Sequence, residues 1–197
     1  MLKFDSIQQL TQWLNHHGIP TNTWGQGDAK TVADLWLEVT HGETILQLVS
    51  AQVPEPLTAS PVRLVQVVEL LIQRQDHTLI EAGQLLTNGT ERHRNHLPAE
   101  KMKGGETPLA AAWRCLREEL AASDEVLAEV EVVIIEDSLK KRFSPSYPGL
   151  QSEYHLYRAQ VTGLPLPADD FSTENRAYCD GDPVKMHHWH WKKWSDH

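Results

Sequence analysis

Apolar residues change their period partway along the chain. In residues 6–17, Ile7, Leu10, Trp13 and Leu14 recur at helical spacing, with Asp5 or Ser6 as cap and Gly18 as stop. Residues 31–40 repeat the pattern with Val32, Leu35, Trp36 and Val39, and the polar, glycine-bearing stretch 21–28 between them reads as a connector. Residues 44–49 suit a strand or a helix equally, and Pro54, Pro56 and Pro61 then forbid continuous helix. Beyond Pro61 the pattern turns to β: strands are expected at 63–73 and 78–86, then an Asn88-Gly89 turn and a polar strand at 91–96. A helix follows at 108–121, with further strands at 126–135, 154–161 and 186–194. Strands around a central helix predict an α/β (α+β) sandwich at 61–197, preceded by a helical N-terminal extension at 1–60.

Composition narrows the function. Eighteen Lys and Arg against 27 Asp and Glu give a formal charge of −9, which argues against duplex nucleic acid as partner. A small phosphorylated ligand remains compatible, because local cations reverse a local field. No run approaches the roughly 18 apolar residues of a membrane span, so no membrane partner is expected. The opening residues, with Asp5, Gln8 and Gln9, do not read as a signal sequence, so a cytoplasmic location is expected. Cys115 and Cys179 are too few for a disulfide framework. Several of the 11 histidines and 7 tryptophans crowd into the last dozen residues.

Chemistry concentrates in residues 97–121, LPAEKMKGGETPLAAAWRCLREELA. Thr107 suits a helix N-cap and Pro108 the first helical position. A helical wheel groups Leu109, Ala112, Trp113, Leu116 and Leu120 on a buried face, with Cys115, Glu118 and Glu119 opposite. Two adjacent glutamates beside a glycine loop can hold a hard divalent cation such as magnesium. A solvated pair, with Arg114 as an ordinary surface partner of Glu118, explains them too.

The stretch resembles the Nudix box: Gly, five residues, Glu, seven residues, then Arg-Glu-aliphatic-x-Glu-Glu-x-Gly-aliphatic. Glu106, Arg114, Leu116, Glu118 and Glu119 stand in register, with Gly105 and Pro108 in the common flanking form. Three positions depart from it: Glu100 and Ala121 replace glycines, and Cys115 replaces a glutamate that the family uses on magnesium. The resemblance implies an α/β/α sandwich with a mixed sheet. It also implies a magnesium-dependent hydrolase, with manganese as alternative ion, acting on a nucleoside diphosphate linked to another moiety. Glu118 and Glu119 would bind the metal, and Arg114 and Glu106 would brace the loop and helix. Glu100 would either replace the lost ligand or remain a solvated loop charge. Cys115 favours the alternative, a degenerate domain that binds a nucleotide or serves regulation or protein interaction. Its plainer reading is a small side chain filling a helix–sheet gap.

Outside the box, the resemblance makes Glu174, in an expected late loop, the candidate general base. Alternation puts Arg92, Arg94 and His96 on one strand face, where the arginines could bind substrate phosphate. Tyr147 could stack on a base or ribose, or pack its loop. His188 and His190 share a strand face as a two-ligand clamp, but sheet packing by Trp189 and Trp191 is the favoured reading of that segment. The tryptophan-bearing N-terminal helices are the candidate surface for a protein partner.

Overall fold

The structure is a computed structural model that describes residues 2–27, 29–50, 59–176 and 184–193. Cys179 and the proline break at 54–56 lie outside the described residues. The elements are α1 (Ile7–His16), α2 (Val32–Thr40), β1 (Ile45–Ser50), β2 (Ala59–Arg74), β3 (His77–Leu86), β4 (Glu91–His96) and β5 (Ala99–Lys101). They continue with α3 (Pro108–Glu118), α4 (Asp124–Leu127), β6 (Glu131–Phe143), β7 (Gln151–Thr162), β8 (Phe171–Glu174) and β9 (Val184–Lys193). The fold is thus mixed α/β, with strand order β6-β7-β2-β3-β9-β8; β1 and β5 pair with β2, and β4 with β3. None of the described helices is long and apolar enough to cross a membrane.

Two compact units share the chain. One comprises Met1–Gln66, Met102–Gly105 and Ser138–Leu156; the other comprises Val67–Lys101, Glu106–Asp137 and Tyr157–His197. In the first, Ser6 caps α1, and Thr31 forms a reciprocal capping box with Asp34 at the start of α2. Leu10 and Leu14 of α1 and Leu35 of α2 are buried with Ile19, Trp24, Leu46, Tyr147 and Leu150. Trp13 and Trp36, expected to offer a partner surface, pack partly buried against that cluster. Below it, Arg63 Nη2 meets Glu38 Oε2 at 2.6 Å, with Lys30 at 2.8 Å from the other Glu38 oxygen. The Arg63 guanidinium also lies 5.0 Å from the centre of the Tyr147 ring.

Helix α3 corrects the expected wheel. Its buried residues are Ala111, Ala112, Cys115 and Leu116, while Leu109 is 42% exposed and Trp113 only half-buried. Cys115, placed outward by the wheel, is fully buried. The small side chains on that stripe let the helix backbone approach its neighbours closely, which a wheel weighted towards large residues overlooks. Helix α3 ends at Glu118, Glu119 caps it, and Ala121 turns the chain at φ +54°. That left-handed conformation is where helices commonly place glycine, as the box pattern does.

The strand expected at 126–135 begins only at Glu131, because Ser123 caps the short α4 at Asp124–Leu127. The expected loop around Glu174 is instead β8, paired with β9.

Two stability outcomes follow from these contacts. Arg63→Met should lower unfolding free energy by about 3 kcal/mol in a urea titration, because Glu38 keeps its burial and loses its buried cation. Ala121→Gly should raise it by roughly 0.5–1 kcal/mol, the relief of a left-handed alanine less the chain entropy of glycine.

Candidate active site

The site starts from one arginine. Between β5 and α3 the chain turns at Gly105, whose φ of +82° suits only glycine comfortably, and Thr107 then caps the helix by accepting from the Ala110 amide. Arg114, two turns into α3, reaches back to this entry. Its Nε and Nη2 donate to the two Glu106 oxygens at 3.0 and 2.9 Å, a bidentate grip. Nη2 also donates to the Lys101 carbonyl at 2.8 Å, while Nη1 lies 3.1 Å from Glu100 and 3.4 Å from Glu118. Burial alone would weaken this guanidinium's hold on its proton. The Glu106 hydrogen bond and the charges of Glu100, Glu106 and Glu118 more than offset that and hold it charged.

The adjacent glutamates part company. Glu118 joins Arg114; Glu119, 15% exposed, turns towards Cys115, Glu81 and His187. One donor atom from each of Glu81, Glu119 and His187 lies within 4.8 Å of the other two, a group that could hold a metal ion. His187 Nδ1 is 2.7 Å from Glu81 Oε1 and 4.0 Å from Glu119 Oε2. Its ring stacks on Trp189, with 5.5 Å between centres and planes 14° apart. Trp189 Nε1 donates to the Thr173 hydroxyl at 2.7 Å, and that hydroxyl donates to the Glu119 carbonyl. The Arg176 amide donates to the Glu118 carbonyl at 2.8 Å, so residues at and beyond β8 satisfy the otherwise open end of α3.

A break in strand register aims Glu81. In β3, Glu81 pairs with Trp189 and His96, but Gly83 pairs with His188 and His93, so the ladder slips between them on both sides. Residues three apart on a regular strand face opposite ways; here Gln84 Nε2 donates to Glu81 Oε1 at 2.7 Å. Gly83 suits the slip, because a Cβ there would stand 3.1 Å from the Arg92 carbonyl oxygen. Arg94 Nε holds the other Glu81 oxygen at 3.1 Å, and Arg92 donates to Gln84 at 3.4 Å.

Electrostatics separates the two carboxyls. Burial pushes Glu81 up, but the His187 hydrogen bond and the Arg94 charge prevail, leaving it below the usual carboxylate range. Burial pushes Glu119 well above that range, and the charges of Glu100 and Glu81 add to the effect. Burial and the same acidic neighbours, Glu119 first, likewise raise Cys115, whose thiol stays neutral and hydrogen-bonds Glu119.

The structure therefore gathers Glu100, Glu106, Arg114 and Glu118 in one group, and sets Glu119 and Arg94 in the other, with Arg92 reaching it through Gln84. Glu174 stands apart: Thr173 of β8 faces Glu119, and the alternate residue Glu174 is exposed on the opposite face. Tyr147 belongs to the core of the other unit and is fully buried, which leaves no ring face for a base. His188 and His190 share a face as expected but bond separately, His188 to Ser172 and His190 near Asp170. Glu81 and His187 went unmarked by sequence. The available signal was parity: Leu79 and Glu81 share a buried row, as do His187 and Trp189.

One outcome concerns pH. A carboxyl whose folded pKa lies above its unfolded value favours folding when protonated, so its unfavourable contribution grows as pH rises from about 4.5 through the folded value. Chelator-treated Glu119→Gln should therefore be more stable than the parent at pH 7, and the gap should close towards pH 4 in parallel thermal melts.

No family model and no curated protein sequence matches the chain. In structure it is similar to an ADP compounds hydrolase, at 15% identity over 75% of this chain and 78% of that one, TM-score 0.33. A Caenorhabditis elegans Ap4A hydrolase aligns at 20% identity over 64% and 77%, TM-score 0.30. The chain is also similar to a NUDIX hydrolase from Nitrosomonas europaea, at 17% identity over 64% of this chain and 70% of that one, TM-score 0.37.

Proposed function

We propose that the protein is a Nudix-type, divalent-metal-dependent hydrolase of a nucleoside diphosphate linked to another moiety. The observation that carries this reading is the Arg114 grip on Glu106 and the Lys101 carbonyl, which builds the loop–helix unit that the box pattern describes. Residues 61–197 would be the catalytic domain and residues 1–60 its helical extension, in a cytoplasmic protein.

The donor set at Glu81, Glu119 and His187 fits a divalent ion: two carboxylates and one imidazole converge where burial and the charges of Glu100 and Glu81 disfavour an ionised Glu119. When bound, a divalent ion would polarise phosphoryl oxygens and acidify water. The chain's own residues then divide the remaining work. Arg92 and Arg94 present guanidinium groups to phosphate oxygens from the strand beside Glu81. Glu118, held at one oxygen by Arg114 and a quarter exposed, would accept the proton of the attacking water as the bridging phosphorus–oxygen bond breaks. Arg114 and Glu106 fix the loop and so position Glu118 and Glu119. Glu81 supplies from β3 the carboxylate that Cys115 does not supply from α3.

Cys115 favours a second reading, a nucleotide-binding module without turnover, since a buried neutral thiol stands where the box has a ligand. A turnover screen of nucleotide sugars, dinucleoside polyphosphates and ADP-ribose over magnesium, manganese, zinc and cobalt series decides between them. The hydrolase reading expects turnover that falls at least 100-fold in Glu119→Gln. A folded, nucleotide-binding protein inert across the panel would leave the module.

A further inference from the structure

The donor set itself has a chemical preference. Magnesium takes oxygen ligands in near-octahedral geometry and retains several waters, so it rarely recruits imidazole. Zinc and cobalt bind imidazole and carboxylate together, and catalytic zinc sites use three protein ligands with a fourth position open. Glu81, Glu119 and His187 supply two carboxylates and one imidazole, and Glu81 and His187 are both buried.

We propose that Glu81, Glu119 and His187 form a centre for a borderline divalent ion of the zinc or cobalt class, held in preference to magnesium. The inference rests on the reading of these residues as a metal centre and not on hydrolysis.

Three observations support it beyond the convergence of donors. First, each donor is held by a neighbouring side chain. Gln84 and Arg94 hold Glu81, the Cys115 thiol holds Glu119, and Trp189 stacks on His187. Second, His187 sends the same ring nitrogen towards both carboxylates, 2.7 Å from one and 4.0 Å from the other. Its far nitrogen, Nε2, is buried with no hydrogen-bond partner among the described residues, and Nδ1, 2.7 Å from the Glu81 carboxylate, carries the ring proton. Nδ1 would become a ligand when an entering ion displaces that proton and the ring carries it on Nε2 instead. Third, the centre is assembled by a strand irregularity, the register slip beside Glu81, a device that re-aims side chains at sites. A simple structural pair of Glu81 with His187 would not need Glu119 within reach.

The test titrates the full-length, chelator-treated chain with zinc chloride and, separately, magnesium chloride in a calorimeter, with no nucleotide present. One zinc per chain should bind at least 100-fold more tightly than magnesium. His187→Gln should weaken zinc about 100-fold while shifting magnesium less than threefold. Glu81→Gln, which keeps shape and hydrogen bonding, should also weaken zinc at least tenfold and serves if the histidine variant does not fold. A His188→Gln/His190→Gln double variant should bind zinc like the parent. With cobalt chloride, the parent should show visible absorption that Glu81→Gln diminishes. Zinc affinity no better than magnesium's, or zinc affinity unchanged in the folded single variants, overturns the proposal. A chain that binds zinc as expected but hydrolyses no diphosphate keeps this centre and loses only the hydrolase reading.

Discussion

Arg114 is the interaction on which the site's architecture depends. A helix and the loop preceding it have no covalent reason to hold a fixed angle, and Gly104 and Gly105 make that connection especially free. One guanidinium removes the freedom by gripping both oxygens of Glu106 and the Lys101 carbonyl from a position two turns into the helix. The same group draws in Glu100 and Glu118, so three half-buried carboxylates share one cation. A lysine could carry the charge but could not make the planar, multi-point contact, and the loop would lose its reference to the helix.

With the helix fixed, Glu119 must face elsewhere, and the sheet receives it. The slip in β3 matters here because it changes which residues share a face. Glu81 and Gln84 come together, Arg94 and Arg92 follow them from the neighbouring strand, and His187 and Trp189 arrive from the other side. The alanines and Cys115 on the buried stripe of α3 are small enough to keep the helix close. A glutamate in place of Cys115 would have to occupy fully buried space already under the charges of Glu119, Glu100 and Glu81.

The elements that sequence made legible are those with local causes. Capping at Ser6 and Thr107, the helical spacing of Leu10 with Leu14, and the Arg114–Glu106 register are all written within a few residues, and the chain folds accordingly. What stayed hidden depends on pairing between distant strands. Nothing near Glu81 announces a slip at Gly83, which becomes visible only when β4 and β9 lie alongside. The same holds for His187, which was passed over for His188 and His190 because sequence spacing pairs those two, while strand partners divide them. For Tyr147 sequence left stacking on a base and packing of its loop both open, and the ring is spent in a core shared with α1 and α2.

Charge bears on what the proposed site could hold. Glu81, Glu100, Glu106, Glu118 and Glu119 stand against Arg92, Arg94 and Arg114, and two of these arginines are already engaged by the glutamates. A diphosphate entering such a field meets net repulsion at close range, in an environment where burial reduces screening. A divalent ion held by Glu81, Glu119 and His187 would reverse the sign locally. Ion and ligand affinity must then rise together, since each lowers the free energy of holding the other in the same place. The acidity of the chain as a whole, −9 by formal count, makes the dependence stronger at low salt. On the proposed reading, selectivity for phosphate compounds would thus be conditional on the ion, and the arginines on β4 would act on the ligand only after that condition is met.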